Sequence, residues 1–285
     1  MGLDTNAVQF LVSAHKMGVR FGRTVMLGRQ SLNVFSGTVR TMLGRGGLAA
    51  AKFQEAAKSN DYAEPLFEAL GAMQVDAMDN STFEGAKLVH DLNQPVPLEW
   101  KEQFDVVYDG GTLEHVFNFP VALRNAMELL RPGGRLFIHT CANNLCGHGF
   151  YQFSPELFYR ALSSENGFEV ERMIIFRVGP YGRWHEVSDP DKIRERVELI
   201  TFMPMQMLVQ ARRLKVVPIF EKTPQQSDYS VMWETESAFP ASVKKNWLRV
   251  RFPKLAAWLS PFQTGLEFYH RQSLFNRRFF KPVKK

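Results

Sequence analysis

Seven short apolar runs alternate with longer stretches of helical periodicity along the chain. The runs fall at residues 24–27, 73–78, 87–90, 105–108, 135–140, 170–178 and 206–211. Their lengths and their Val, Ile, Leu, Met and Phe content predict strands. Between the fourth and fifth lies "FNFPVALRNAMELLRPGG", in which Val121, Leu123, Ala126, Met127 and Leu130 recur at helical spacing. Pro132-Gly133-Gly134 is expected to stop that helix. Ser154-Pro155-Glu156 and Ser188-Asp189-Pro190 read as helix starts, a capping side chain followed by proline in the first turn. The second of these leads into "DKIRERVELI", which has the pattern of an amphipathic helix.

Strands separated by helices need crossovers, and crossovers make a parallel sheet covered on both faces. The expected fold class is therefore α/β: a three-layer α/β/α sandwich around a seven-stranded, mostly parallel sheet, its last strand antiparallel. Residues 1–215 would form this domain and 216–285 an extension packing on or beside it. A long stretch, "GRGGLAAAKFQEAAKSN", intervenes between the first two strands and reads as a lid or a helical insertion.

Composition narrows the function classes. With 285 residues, 45% hydrophobic and 22% charged, the chain has ample material for a core. Its net charge of +6 is uneven. Residues 241–285 hold eleven Lys/Arg against one acid, Glu267, which leaves the remainder mildly acidic. That distribution does not describe a nucleic-acid-binding face, and no nucleic-acid partner is expected. Cys141 and Cys146 are too few for a disulfide framework, so a reducing, cytoplasmic location is expected. "MGLDTNAVQF" lacks the basic and apolar regions of a signal peptide and the myristoylation pattern. The most apolar run, 199–209, is 11 residues long, contains Pro204 and is too short to span a membrane.

The stretch "YDGGTLEHVFNF" follows the fourth strand. In open α/β sheets ligands bind outside the carboxyl ends of the strands. Gly110 and Gly111 would sit at such an end, where missing Cβ atoms admit a ligand to the backbone. Glu114 and His115 would lie on the first turn of the following helix and face the same crevice. Read without a ligand, the glycines make a tight turn and Glu-His is a solvated helix start.

The 35-residue stretch "FDVVYDGGTLEHVFNFPVALRNAMELLRPGGRLFI" closely resembles class I S-adenosylmethionine-dependent methyltransferases, Rossmann-like enzymes of which the methyltransferase type 11-like proteins are one group. The resemblance covers roughly residues 20–180. It implies S-adenosylmethionine as cofactor and places residues by chain order. Asp79, ending the second strand, is expected to bind both ribose hydroxyls, with Asp76 as the other choice of register; capping a turn with Asn80 and Ser81 is its structural role. Asp91 and Leu92 follow the third strand, where the adenine lies. Asp109, Gly110, Gly111 and Glu114 belong near the methionine end.

The first strand departs from the family. In place of the usual acid-x-Gly-x-Gly stands "TVMLGRQSLNV", with Gly28 alone. Gly28 still permits close approach, and Gln30 is able to bond the amino or carboxylate group of the cofactor. The "LGRQ" start and the segment "NNLCGHGFYQFSPE" resemble an uncharacterised bacterial subfamily with a variant glycine loop.

Methyl transfer to a hydroxyl needs an in-line approach and a base. Histidine suits that task at neutral pH. His148, in "CANNLCGHGFYQFSPE" after the fifth strand, and His115 are the catalytic candidates. Asn143, Asn144, Tyr151 and Gln152 are candidates for the acceptor-pocket wall, though the two asparagines also suit turns. Although the acid of "LEHV" in ubiquinone-biosynthesis-type relatives suggests a divalent metal, His90, Asp91 and Glu114 show no ligand spacing, and no metal is expected. Gln226, Asp228 and Tyr229 are further candidates for substrate contact. The basic, aromatic end would pack its rings on the domain, touch an anionic membrane surface, or meet an acidic partner. The expected function is transfer of a methyl group to a small-molecule acceptor, at oxygen rather than carbon or nitrogen. The alternative is a methyltransferase-like scaffold that has lost cofactor binding.

Overall fold

The structure, a computed structural model, describes residues 2–48, 50–57, 61–179, 182–229, 265–266 and 270–283. Its strands are β1 (Gly2–Leu3), β2 (Arg23–Leu27), β3 (Ser31–Leu32), β4 (Gln74–Asp79), β5 (Leu88–Val89), β6 (Phe104–Asp109), β7 (Leu130–Asn143), β8 (Phe168–Arg177), β9 (Trp184–Val187), β10 (Met205–Arg213) and β11 (Phe280–Val283). The helices are α1 (Thr5–Lys16), α2 (Ser36–Arg45), α3 (Ala50–Ala56), α4 (Glu64–Ala69), α5 (Phe119–Glu128), α6 (Pro155–Ala161) and α7 (Pro190–Ile193). All seven expected strands are present; β7 starts early, at Leu130, so α5 ends at Glu128 and Pro132–Gly134 lie inside the strand instead of stopping the helix.

The main sheet runs β11-β9-β8-β10-β7-β6-β2-β4-β5. Strands β5, β4, β2, β6 and β7 are parallel, and β10 lies antiparallel between β7 and β8. The expectation of seven strands is thus corrected to nine. The two extra strands, β9 and β11, pair antiparallel beyond β8, with Phe280 opposite Val187 and Val283 opposite Trp184. Four-residue strands with a proline, Pro282, carry little signal of their own, and only an edge place tolerates them. A separate two-stranded pair joins β1 to β3.

Alternate residues of each central strand enter opposite cores, as the pleat requires. Val25, Val107, Leu136 and Ile138 face α5 and α6, while Met26, Tyr108 and Phe137 face α1 and α4. On the second face Phe21 stacks on Phe137, and Phe10 meets both Phe137 and Trp184 edge-on. Asp4 caps α1 by accepting from Ala7 N at 2.8 Å.

Three local expectations need correction. Glu114 and His115 do not open α5; they occupy a separate 3-10 turn, Leu113–His115. Val116 is extended, and the helix begins only at Phe119, where Pro120 can stand in the first turn without a lost donor. The amphipathic stretch after Pro190 is helical for a single turn. Arg194 adopts φ 52°, ending α7, and Arg196 beyond it is held by Asp228. The stretch between the first strands is helical but broken at Gly46-Gly47, Gly47 having φ 75°.

The described part of the basic tail puts Phe279 and Phe280 in the core and leaves Arg278 exposed beside Glu195. Residues 230–264, which include "NWLRVRFPKLAAWLSPFQT" and the expected membrane contact, lie outside the described residues. Among the described residues no helix is long and apolar enough to cross a membrane.

Candidate active site

The carboxyl ends of β4, β2 and β6 lie side by side and bring Asp79, Gly28 and Asp109–Gly111 to one edge of the sheet. Gly28 has φ 68° and its N–H donates to Met78 O at 2.7 Å, tying the end of β2 to β4. The next two residues part company. Arg29 turns outward, 2.7 Å from Glu64 and stacked 3.9 Å from the Tyr62 ring centroid. Gln30 turns inward and is fully buried, its Nε2 donating to Leu27 O at 2.6 Å. Its Oε1 has no partner. The chain then pairs as β3, a short strand braced on β1, instead of entering a helix.

Asp109 is also fully buried. Its Oδ1 accepts from Thr112 N at 2.9 Å and Leu113 N at 3.2 Å, which starts the turn carrying Glu114. Its Oδ2 has no partner. Burial, and then the charge of Glu114, push the Asp109 carboxyl well above the usual carboxylate range. Gly111 has φ 98°, a conformation that other residues rarely adopt.

The remaining cofactor candidates divide. Asp79 is half-buried, its Oδ1 accepting from Asn80 N at 2.6 Å. Asp76 is buried in the strand and paired with Gln74 and Lys87, so Asp79 is the acid at the edge. Asp91 is exposed and caps its own turn: Oδ1 accepts from Asn93 N and Nδ2, bonds that lower its pKa. Leu92 is buried in the core beside Val96 and Phe119 and offers no face to an adenine ring, contrary to expectation. The group as a whole fits the cofactor. Asp79 at the edge suits the ribose of the cofactor, while the orphaned oxygens Gln30 Oε1 and Asp109 Oδ2 lie buried among the strand ends.

One strand further, β7 and the loop after it gather the two histidines. Glu114 is buried, with 1% of its side chain exposed, and accepts from Thr140 Oγ1 at 2.9 Å through Oε2. Its Oε1 lies 3.7 Å from His148 Nε2, and the His148 and His115 rings stand edge to face at 5.2 Å. Burial raises the Glu114 carboxyl. Burial, and then the neighbouring His148, lower His115. The loop is sewn to the turn: Phe150 N and Tyr151 N donate to Glu114 O at 2.8 and 3.3 Å. Gly149, at φ 79°, passes so close that a Cβ would lie 2.7 Å from that carbonyl.

The acceptor-wall candidates are used within the protein. Asn143 Nδ2 donates to Leu199 O, and Asn144 Nδ2 donates to Thr201 O and Met203 O. Gln152 Oε1 accepts from Leu145 N, and Tyr151 donates to Phe117 O. Asp228 and Tyr229 sit against Arg196. These bonds shape the loop that presents His148.

Sequence reasoning missed a second feature at the same edge. A cleft of about 620 Å³ opens between the starts of α1, α2 and β10 and the ends of β7 and β8, lined by Asp4, Asn33, His139, Val178 and Gln206 among others. His139 is buried and its Nε2 has no partner. Burial lowers its pKa against the opposing pull of Asp4 and Gln206. The one available signal was a histidine in the apolar run "RLFIHT".

Residues 61–138 match the methyltransferase-domain family. That stretch holds β4, β5, β6 and α5, and with them Asp79 and Asp109–Gly111 of the edge just described. No curated protein matches the chain. Among solved structures it is similar to the 1,6-didemethyltoxoflavin-N1-methyltransferase of Burkholderia thailandensis, solved with 1,6-didemethyltoxoflavin and S-adenosylhomocysteine. The identity is 16%, over 74% of this chain and 80% of that one, with a TM-score of 0.40. An S-adenosylmethionine-dependent methyltransferase from Mesorhizobium loti shares 17% identity over 71% of this chain and 95% of its own, with a TM-score of 0.38.

Proposed function

We propose that the protein transfers the methyl group of S-adenosylmethionine to a hydroxyl oxygen of a small-molecule acceptor. The observation that carries this reading is the gathering of Glu114, His115 and His148 at the carboxyl edge, a few residues beyond Asp109–Gly111. The cofactor, when bound, presents a methyl group on a sulfonium; a C–O bond forms as the S–C bond breaks, leaving S-adenosylhomocysteine. Asp79 would hold the ribose.

The acceptor hydroxyl must lose its proton. His115, held neutral near pH 7 by its lowered pKa, is in the form that accepts one. His148 stands beside it, its Nε2 3.7 Å from Glu114 Oε1. A cleft of about 620 Å³ of a size that holds a small molecule opens at the same edge, lined by His139 and not by Glu114, His115 or His148. The two unpaired cysteines agree with a cytoplasmic location.

A second reading rests on one observation, the unpartnered Nε2 of buried His139 in that cleft. There His139 would take the proton and the Glu114 group would bind only the acceptor. Titration calorimetry with S-adenosylmethionine and S-adenosylhomocysteine tests the cofactor half of the proposal; absence of heat with both would end it. A panel of phenols, catechols and hydroxy acids, assayed with His148→Gln and His139→Gln, tests the rest. Loss of turnover with bound cofactor unchanged marks the base.

A further inference from the structure

We infer that Glu114, His115 and His148 bind a divalent transition-metal cation of the zinc, cobalt or manganese kind. Glu114 and His115 are adjacent in the turn after β6, and His148 reaches them from the loop after β7. One donor atom from each lies within 4.8 Å of the other two. Zinc-type bonds to imidazole nitrogen and carboxylate oxygen are about 2.0–2.2 Å, so tetrahedral ligands stand about 3.4 Å apart. The Glu114 Oε1 to His148 Nε2 distance of 3.7 Å is already near that value, and too long for a hydrogen bond. The spacing is that of two groups with room for an ion between them.

The surroundings have the features that hold metal ligands in place. Thr140 Oγ1 donates to the other oxygen of Glu114, leaving Oε1 as the one turned to the histidines. The backbone of the His148 loop is bonded to Glu114 O, and Gly149 passes where no side chain fits. Cys141, the nearby thiol, donates to Tyr151 O and is pushed up to about 11, so it remains protonated and outside the ligand set. A nearly buried carboxylate with no cationic side chain in hydrogen-bond contact among the described residues is costly, and a bound cation relieves that cost.

The donor set selects the ion. Two imidazoles and one carboxylate suit zinc and its transition-metal neighbours, whereas calcium and magnesium prefer oxygen ligands throughout. Three protein ligands leave at least one position open, the arrangement of catalytic zinc sites. His148 is about half exposed, so the open side faces solvent. A cation there would lower the pKa of an acceptor hydroxyl. That catalytic meaning rests on the proposed methyl transfer to oxygen; the binding of the ion does not.

The test uses the full chain freed of metal by chelation and titrated with cobalt(II), read by visible d–d absorption, with zinc(II) calorimetry in parallel. The expected result is one ion per chain, with intense bands of low-coordinate cobalt. Glu114→Gln and His148→Ala should each weaken binding at least 100-fold, and Thr140→Val, which touches no ion, about 10–100-fold. Each variant is checked by circular dichroism and by S-adenosylmethionine titration, so that loss of fold is not read as loss of the site. No cobalt bands in a folded protein, or equal affinity in the native chain and His148→Ala, would overturn the inference and return the histidines to the role of bases. Cobalt binding without any cofactor binding would leave the metal site standing and overturn the proposed function.

Discussion

Gln30 occupies the space that a side chain at residue 110 would need: a Cβ built on Gly110 would lie 2.4 Å from Gln30 Oε1 and 2.9 Å from the Tyr108 ring. The end of β6 is therefore locked to the end of β2 by a glycine and a buried amide. This contact fixes the spacing of the two strand ends.

Gly110→Ala forces either Gln30 or Tyr108 from a packed site. Overpacking of this kind costs about 1–3 kcal/mol. Thermal denaturation should show the loss, and calorimetry should show weaker S-adenosylmethionine binding. A variant as stable as the native chain would mean that Gln30 moves freely.

Asp79→Ala should weaken S-adenosylmethionine binding by about 1–3 kcal/mol, the cost of unmade hydrogen bonds to a ribose. Asp91→Ala should cost cofactor affinity less, because Asp91 already spends Oδ1 on the Asn93 turn. Equal losses in the two variants would contradict the assignment of the ribose to Asp79.

The buried carboxyl of Asp109 sets a pH dependence. Its pKa is raised in the folded state, so the native protein binds that proton more tightly than the unfolded chain does. The associated stability is present below the ordinary aspartate pKa of about 3.9 and is lost as pH rises through the higher folded value. Denaturation of Asp109→Asn followed from acid to neutral pH should give a shallower decline than the native chain. Parallel stability curves would rule out Asp109 as the titrating group.

Phe280 is fully buried although it comes from the far end of the chain, where it pairs opposite Val187. Phe280→Ala should destabilise the protein by about 3–5 kcal/mol, readable in urea unfolding. A change under 1 kcal/mol would show that β11 contributes little to the sheet.

Hydrophobic periodicity located the seven strands and the α5 helix, and the Ser154-Pro155 signal the capped start of α6, because strand and helix patterns are local. The same order placed Gly28, Asp79 and Asp109–Gly111 at strand ends, and a parallel sheet collects strand ends at one edge. Pattern could not show that Arg29 points outward while Gln30 points inward, since adjacent polar residues in a loop carry no period. Nor could it show that His148 meets Glu114, a contact across more than thirty residues set by a hydrogen-bonded loop and one glycine. The same limit hid His139, which reads as one more position in an apolar strand. It hid β11 as well, whose four residues gain their partner only when the rest of the sheet has formed. Short-range preference determined the elements; long-range packing decided which polar side chains share a site.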